Sequence, residues 1–223
     1  MPQKKLSNLI KKLGIDFHNR DLLKLALTHR SLNKKGYERL EFLGDRVLGL
    51  SIANFLYYSF PDENEGKLAH RLAVLVSQKS LVQIAHFFNL DQYILLSETD
   101  IAAGNNTNPT ILADVCEAII AALYLDQGMK ITEQFIIKHW QPLINFDAPP
   151  PKDPKTELQE WVQSKNMKLP IYNLIHTVGP DHQPLFEIQL EIPGYKPVRA
   201  KAKSKRAAEK SAAELMLKTI YSS

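Results

Sequence analysis

The chain has 223 residues, 44% of them apolar and 23% charged, which suits one or two globular domains with a substantial core. Its apolar stretches are too short to span a membrane and its first residues hold no signal-peptide core, so a cytoplasmic protein with no membrane partner is expected. One cysteine, Cys116, excludes an internal disulfide; residues 1–152 carry 17 basic and 16 acidic side chains, residues 153–223 carry 11 and 8, and the net charge is +4.

The first 145 or so residues predict helices. Apolar residues recur at three- and four-residue spacing over Leu6–Leu13, Leu22–Leu27, Leu40–Tyr58, Leu68–Phe88 and Ile111–Leu125. The segment Ala102–Thr110 reads as a loop, with Pro109 opening the next helix. Asp147–Pro154 has four prolines in eight residues and marks the domain boundary as an extended spacer. Beyond it, Thr156–Lys165 predicts a short helix and Ile171–Val178 a strand. Phe186, Ile188, Leu190 and Ile192 alternate with Glu187, Gln189 and Glu191, the period of a half-buried strand. Pro193-Gly194 marks a turn and Pro197–Ala202 a third strand. Ser204 is suited to cap a last helix with Ala208, Ala212, Leu215 and Met216 as its inner stripe. Lys196, Arg199, Lys201, Lys203, Lys205 and Arg206 form a basic strip with no acid among them, a surface for an anionic partner or simply a solvated strand.

Two helical segments carry the chemistry. Glu38, Glu41 and Asp45 share one face of the first, opposite Leu40, Leu43, Val47 and Leu50. By itself such an acidic edge reads as a solvated face. The second, Ile111–Leu125, has only two charged residues, Asp114 and Glu117, at the i and i+3 spacing that puts them side by side. Everything else in it is apolar or small, and ionised carboxylates on a buried helix are costly without a positive partner. That partner is either an Arg or Lys from elsewhere in the fold or a hard divalent cation. Carboxylates without His or Cys favour Mg²⁺, with Mn²⁺ as substitute, over zinc. Cys116 falls on the other side of the helix and reads as a packing residue. His29 reads as structural, since nothing pairs it with a nucleophile. A metal pair held by carboxylates next to a basic module suggests phosphodiester hydrolysis by metal-activated water, which needs no side-chain nucleophile.

At these residues the sequence resembles the bacterial ribonuclease III family. Glu38-Arg39-Leu40-Glu41-Phe42-Leu43-Gly44-Asp45 is similar to its signature segment, and Leu112-Ala113-Asp114 with Glu117-Ala118 to its second acidic helix. Thr28-His29-Arg30-Ser31 and Glu65-Gly66 also match. Tyr37 departs from the polar residue that often precedes the signature, and Gly104–Thr110 lacks the arginines frequent there. The resemblance implies a multidomain chain. An all-α endonuclease domain (1–146) is followed by a Pro-rich linker (147–153) and a small α+β double-stranded-RNA-binding domain of α-β-β-β-α order (154–223). It implies a Mg²⁺-dependent homodimer, joined through the N-terminal domains, that hydrolyses double-stranded RNA. The ends would be 5′-phosphate and 3′-hydroxyl with short 3′ overhangs, and the role rRNA and mRNA processing. Glu41, Asp45, Asp114 and Glu117 would be the catalytic, metal-binding set, Glu117 the most critical. Glu38 and Glu65 would line the RNA groove.

Thr156, Gln159 and Gln163 lie on one side of the first helix of the tail and match the family's minor-groove residues. His182 in Gly179-Pro180-Asp181-His182 matches its second probe, and Lys203, Lys205 and Arg206 surround the start of the last helix. Cations there oppose the helix dipole, which makes sense if phosphates occupy the site. Two other readings compete: a non-catalytic binder of double-stranded RNA, and a metal phosphohydrolase of small phosphates.

Overall fold

A computed structural model describes residues 3–32, 35–144, 146, 153–178 and 184–221. The chain divides into two compact units, Met1–Pro150 and Pro151–Ser223. The Pro-rich linker lies almost wholly outside the described residues; its last residue, Asp153, caps the helix that follows. No helix is long and apolar enough to cross a membrane among the described residues.

The first unit is helical. Its helices are α1 (Gln3–Leu13), α2 (Arg20–Ala26), α3 (Glu38–Ser59), α4 (Glu65–Leu75), α5 (Gln78–Phe88), α6 (Glu98–Ala102) and α7 (Pro109–Trp140). The run predicted over Leu68–Phe88 is two helices, because Ser77 ends one turn and caps the next through Ser80 N–H. Asn64, Ser97 and Asn108 cap α4, α6 and α7 in the same way.

Helix α7 runs past the predicted end at Leu125, with a break at Gly128, where φ is 76° and ψ 178°. That left-handed backbone suits glycine. The adjoining Asp126 carboxylate accepts the backbone N–H groups of His18 and Asn19 at 2.9 and 2.7 Å, so the bend is tied to the loop before α2. Around α7 the core gathers Leu112, Val115, Ala118, Ile120, Leu123, Ile136 and Trp140, all with 0 or 1% exposure. The Trp140 indole N–H donates to the Leu75 carbonyl at 2.9 Å, locking the last turns of α7 to α4.

Helix α3 packs along α7, and its buried seam differs from the predicted stripe. Leu40 and Val47 are buried, but Leu50 is 62% exposed. Gly44, Leu48, Ser51, Ile52 and Leu56 complete the seam instead. The seam is therefore rotated toward the acidic face, and the acids border the α3–α7 interface rather than facing bulk solvent.

The second unit comprises α8 (Pro154–Ser164), β1 (Ile171–Val178), β2 (Leu185–Glu191), β3 (Val198–Ala202) and α9 (Lys205–Tyr221). The three strands pair antiparallel in the order β1-β2-β3, with an irregularity between Leu174 and His176. Leu158 and Val162 of α8, Ile188 and Leu190 of β2, and Ala208, Ala212, Ala213 and Met216 of α9 form its core. Leu215 is corrected: it is 42% exposed, and Ala213 and Leu217 take the inner places. Ala208, Ala212 and Met216, at four-residue spacing, are all buried; Leu215, seven residues on from Ala208, falls outside the edge of that stripe, whereas Ala213 and Leu217 widen it on the other side.

Candidate active site

The site forms where α3 crosses α7, and Gly44 makes the crossing close. A Cβ on Gly44 would overlap the Glu117 carbonyl oxygen and lie 2.5 Å from its carbon. Only glycine permits this approach. It brings the α3 acids, Glu41 three residues before Gly44 and Asp45 directly after it, beside Asp114 and Glu117 on α7.

Glu41, Asp114 and Glu117 each offer a carboxylate oxygen, and the three atoms lie within 4.8 Å of one another. All three side chains are half-buried. Asp45, the fourth predicted acid, stands outside that triad. Its carboxylate accepts from Arg46 Nη1 at 2.5 Å, and the Arg46 guanidinium lies 5.7 Å from the Phe42 ring centre. Among the described residues, Asp45 is the one of the four with an ion-pair partner. Its charge is nonetheless felt by Glu117 and Glu41.

The electrostatics are those of crowded anions. Burial pushes the Glu117 carboxyl up to about 8, and the charges of Asp45, Glu41 and Asp114 push the same way, with Arg46 opposing. Burial and then Asp114, Glu38 and Asp45 raise Glu41. Burial raises Asp114 too, opposed by a hydrogen bond from Tyr37 and by His29. Among the described residues, Arg46 opposes the rise at Glu117 and His29 that at Asp114, and the donor set is all hard oxygen. A divalent ion such as Mg²⁺ fits that chemistry.

Glu38 is half-buried at the start of α3 and near enough for its charge to act on Glu41 and Asp114. Glu65 is separate. It begins α4 and lines a groove of about 550 Å³ with Ala53, Leu56, Tyr57, Leu68 and Leu72. Cys116 is buried in the core, where burial pushes its thiol up. His29 accompanies a residue that the sequence marks only as a departure from the resembled pattern, with no role at the site. Its ring lies 5.7 Å from that of Tyr37, whose hydroxyl reaches Asp114 Oδ2 at 3.5 Å. Gly44 was likewise missed as a functional residue. The signal was a glycine inside an apolar helix, where it costs about 1 kcal/mol relative to alanine and needs a packing reason.

In the second unit Thr156, Gln159 and Gln163 are all exposed on α8. Ser204 caps α9, its hydroxyl accepting the Ala207 N–H at 3.2 Å, and Lys203, Lys205 and Arg206 are exposed around that end. His182 lies outside the described residues. The basic strip is divided by strand geometry. Arg199 and Lys201 point outward from β3 toward β2, where Arg199 Nε donates to Gln189 at 2.7 Å and Lys201 pairs with Glu187 at 3.4 Å. The three residues at the α9 start are thus set apart from the strand cations.

Residues 19–143 match the model of the ribonuclease-III-like family, and residues 154–220 match the double-stranded RNA binding motif. Among curated relatives, Ribonuclease 3 of Anaplasma marginale (strain Florida) is 42% identical over 211 residues, 93% of this chain and 91% of the relative. Ribonuclease 3 of a Wolbachia species of Drosophila simulans is 42% identical over 225 residues, 97% of each. Among solved structures, the nuclease domain of ribonuclease III from Campylobacter jejuni aligns with a TM-score of 0.60 at 37% identity. It covers 61% of this chain and 96% of that one.

Proposed function

Because the chain belongs to the ribonuclease III family, we propose that it cuts double-stranded RNA as a Mg²⁺-dependent homodimer in the cytoplasm. It is an endoribonuclease acting on double-stranded RNA, with a double-stranded RNA binding motif over residues 154–220. Residues 1–146 serve as the endonuclease domain, 147–153 as the linker and 154–223 as the RNA-binding domain. The cuts leave 5′-phosphate and 3′-hydroxyl ends with short 3′ overhangs and serve rRNA and mRNA processing.

The observation that carries the metal reading is the convergence of Glu41, Asp114 and Glu117 within 4.8 Å. These three, joined by Asp45 once it turns from Arg46, would hold Mg²⁺ or Mn²⁺. A divalent ion there supplies activated water and neutralises charge at the leaving oxygen. Glu38 and Glu65 face the RNA groove. Thr156, Gln159 and Gln163 meet 2′-hydroxyls across the shallow minor groove, the feature that separates RNA from DNA. His182 acts as the second probe of that groove. Lys203, Lys205 and Arg206, with the N–H groups of α9, meet phosphates.

The homodimer reading is supported by one side of α3, where Phe42, Leu50 and Tyr57 are 67, 62 and 66% exposed. Large apolar side chains along one helix face mark an interaction surface, and the apolar groove beside Tyr57 continues it. The test is Glu117→Gln, assayed for binding and for Mg²⁺-dependent cleavage of a long duplex. Cleavage should be lost with binding retained. Unimpaired cleavage would remove Glu117 from the site.

A further inference from the structure

Tyr37 reaches the acid cluster from the loop before α3. Its side chain is 2% exposed, and no side-chain hydrogen bond caps the helix there. The backbone holds it from three directions. Tyr37 N–H donates to the Thr28 carbonyl at 3.0 Å, and its own carbonyl accepts the N–H groups of Leu40 and Glu41 at 2.8 and 2.9 Å. Its ring rests against His29 at 5.7 Å between centres. His29 is in turn fixed: its N–H donates to the Leu95 carbonyl at 2.9 Å, and its Nδ1 lies 2.9 Å from Ser31 Oγ. Ser31 Oγ also accepts the Ser97 N–H at 3.2 Å. A rigid frame from α2 to α6 thus aims one phenol hydroxyl at Asp114 Oδ2, 3.5 Å away.

We propose that Tyr37 is a positioning residue of the metal site: its hydroxyl donates to Asp114 Oδ2 and sets the rotation of that carboxylate toward Glu41 and Glu117. This rests on the reading that these acids hold a divalent ion. Ligands must be ionised to hold a divalent cation, and an ionised carboxylate has only acceptors, so in the metal-bound state neither Glu41 nor Glu117 could orient Asp114. The terminal torsion of an aspartate is broad and soft, and a fixed donor removes that freedom. Ligating carboxylates are held in this way by outer partners whose loss weakens metal affinity about 10–100-fold. His29, which reads as structural in the sequence, acts one step further out by seating the Tyr37 ring.

The experiment compares the full chain with its Tyr37→Phe variant, which removes one oxygen and keeps the ring. Mn²⁺ and Mg²⁺ are titrated calorimetrically. Melting of the metal-free protein and duplex binding in EDTA serve as structural controls. The expected result is metal affinity weaker by about 10–100-fold with both controls unmoved. If the unaltered chain shows no saturable Mn²⁺ binding, the metal reading itself falls. If it binds and Tyr37→Phe binds within twofold, the metal reading stands and the positioning role is wrong. A joint loss of affinity, melting temperature and duplex binding would assign Tyr37 to folding and overturn the proposal. Should the variant not fold, the unaltered chain labelled at tyrosine Cζ gives a second reading by NMR. Mg²⁺ must shift the Tyr37 resonance, and a resonance that stays put at saturating metal refutes the contact.

Discussion

Replacing Glu117 by Gln should stabilise the metal-free protein at high pH while it destroys cleavage. Burial and three neighbouring acids raise the Glu117 carboxyl from 4.5 to about 8. Between these values the folded chain keeps a proton that the unfolded chain has released. Stability therefore falls as pH rises, from fully present below about 4.5 to lost once pH passes about 8. At about 1.4 kcal/mol per tenfold, the whole rise would be worth roughly 5 kcal/mol. Glu117 is only half-buried and shares its titration with Glu41, Asp45 and Asp114, so solvent screening and coupling reduce this to about 2 kcal/mol. Gln is neutral throughout and does not carry this dependence.

The assay is thermal unfolding in EDTA at intervals from pH 5 to 8.5, following the transition of the helical unit. At pH 5 the two proteins should melt together. At pH 8 the Gln variant should melt about 4–8 °C higher, taking 2–4 °C per kcal/mol for a chain of this size. Parallel curves for the two proteins would show that the crowding of acids at the α3–α7 crossing is not felt by Glu117, and the electrostatic account of the site would fail.

Three other perturbations test the rest of the structure. Gly44→Ala forces α3 away from the Glu117 backbone and should cost about 3 kcal/mol, lowering the melting temperature of the helical unit by about 6–12 °C and impairing cleavage even where the variant is folded; an unchanged melting temperature would refute the close crossing. Lys203→Ala with Lys205→Ala should weaken binding of every duplex alike and reduce the salt slope of log K by about 2, measured by titration at several salt concentrations; a full slope would remove these lysines from the phosphate contacts. Phe42→Asp should shift the protein toward monomer in sedimentation equilibrium, and a dimer of unchanged strength would place the interface off this face of α3.

The legible parts of the site are those that depend on composition and spacing along one helix. Asp114 and Glu117 stand out because nothing else in Ile111–Leu125 is charged, and both reach the site. The division of the tail into helix, three strands and helix follows from the change of period, and β1 spans the predicted Ile171–Val178. What was not legible depends on a second element. The seam of α3 includes Gly44 and excludes Leu50, because the approach of α7 rather than hydropathy sets which side is covered. Tyr37 has no motif of its own, and its role appears only when the α2–α3 loop folds over Asp114. The basic strip looked continuous, yet alternation on β3 turns Arg199 and Lys201 to the sheet surface, where β2 supplies partners.

The same acids that make the metal-free site costly should make metal binding and proton binding compete. Ligands must be ionised to hold a divalent cation, so at pH 5 a metal has to displace the proton that the fold favours on Glu117, whereas at pH 8 much of that work is already done. A metal that binds only the folded chain adds about 2.7 kcal/mol at one hundred times its dissociation constant. That is of the same size as the roughly 2 kcal/mol lost by ionising Glu117. The rise in melting temperature produced by a fixed Mg²⁺ concentration should therefore be smallest at pH 5 and grow toward pH 8, offsetting much of the alkaline loss seen in EDTA. In Glu117→Gln the increment should shrink and lose much of its pH dependence. An increment that is equal at pH 5 and pH 8 in the unaltered protein would mean that Mg²⁺ stabilises the chain elsewhere, and that the α3–α7 acids are not its site.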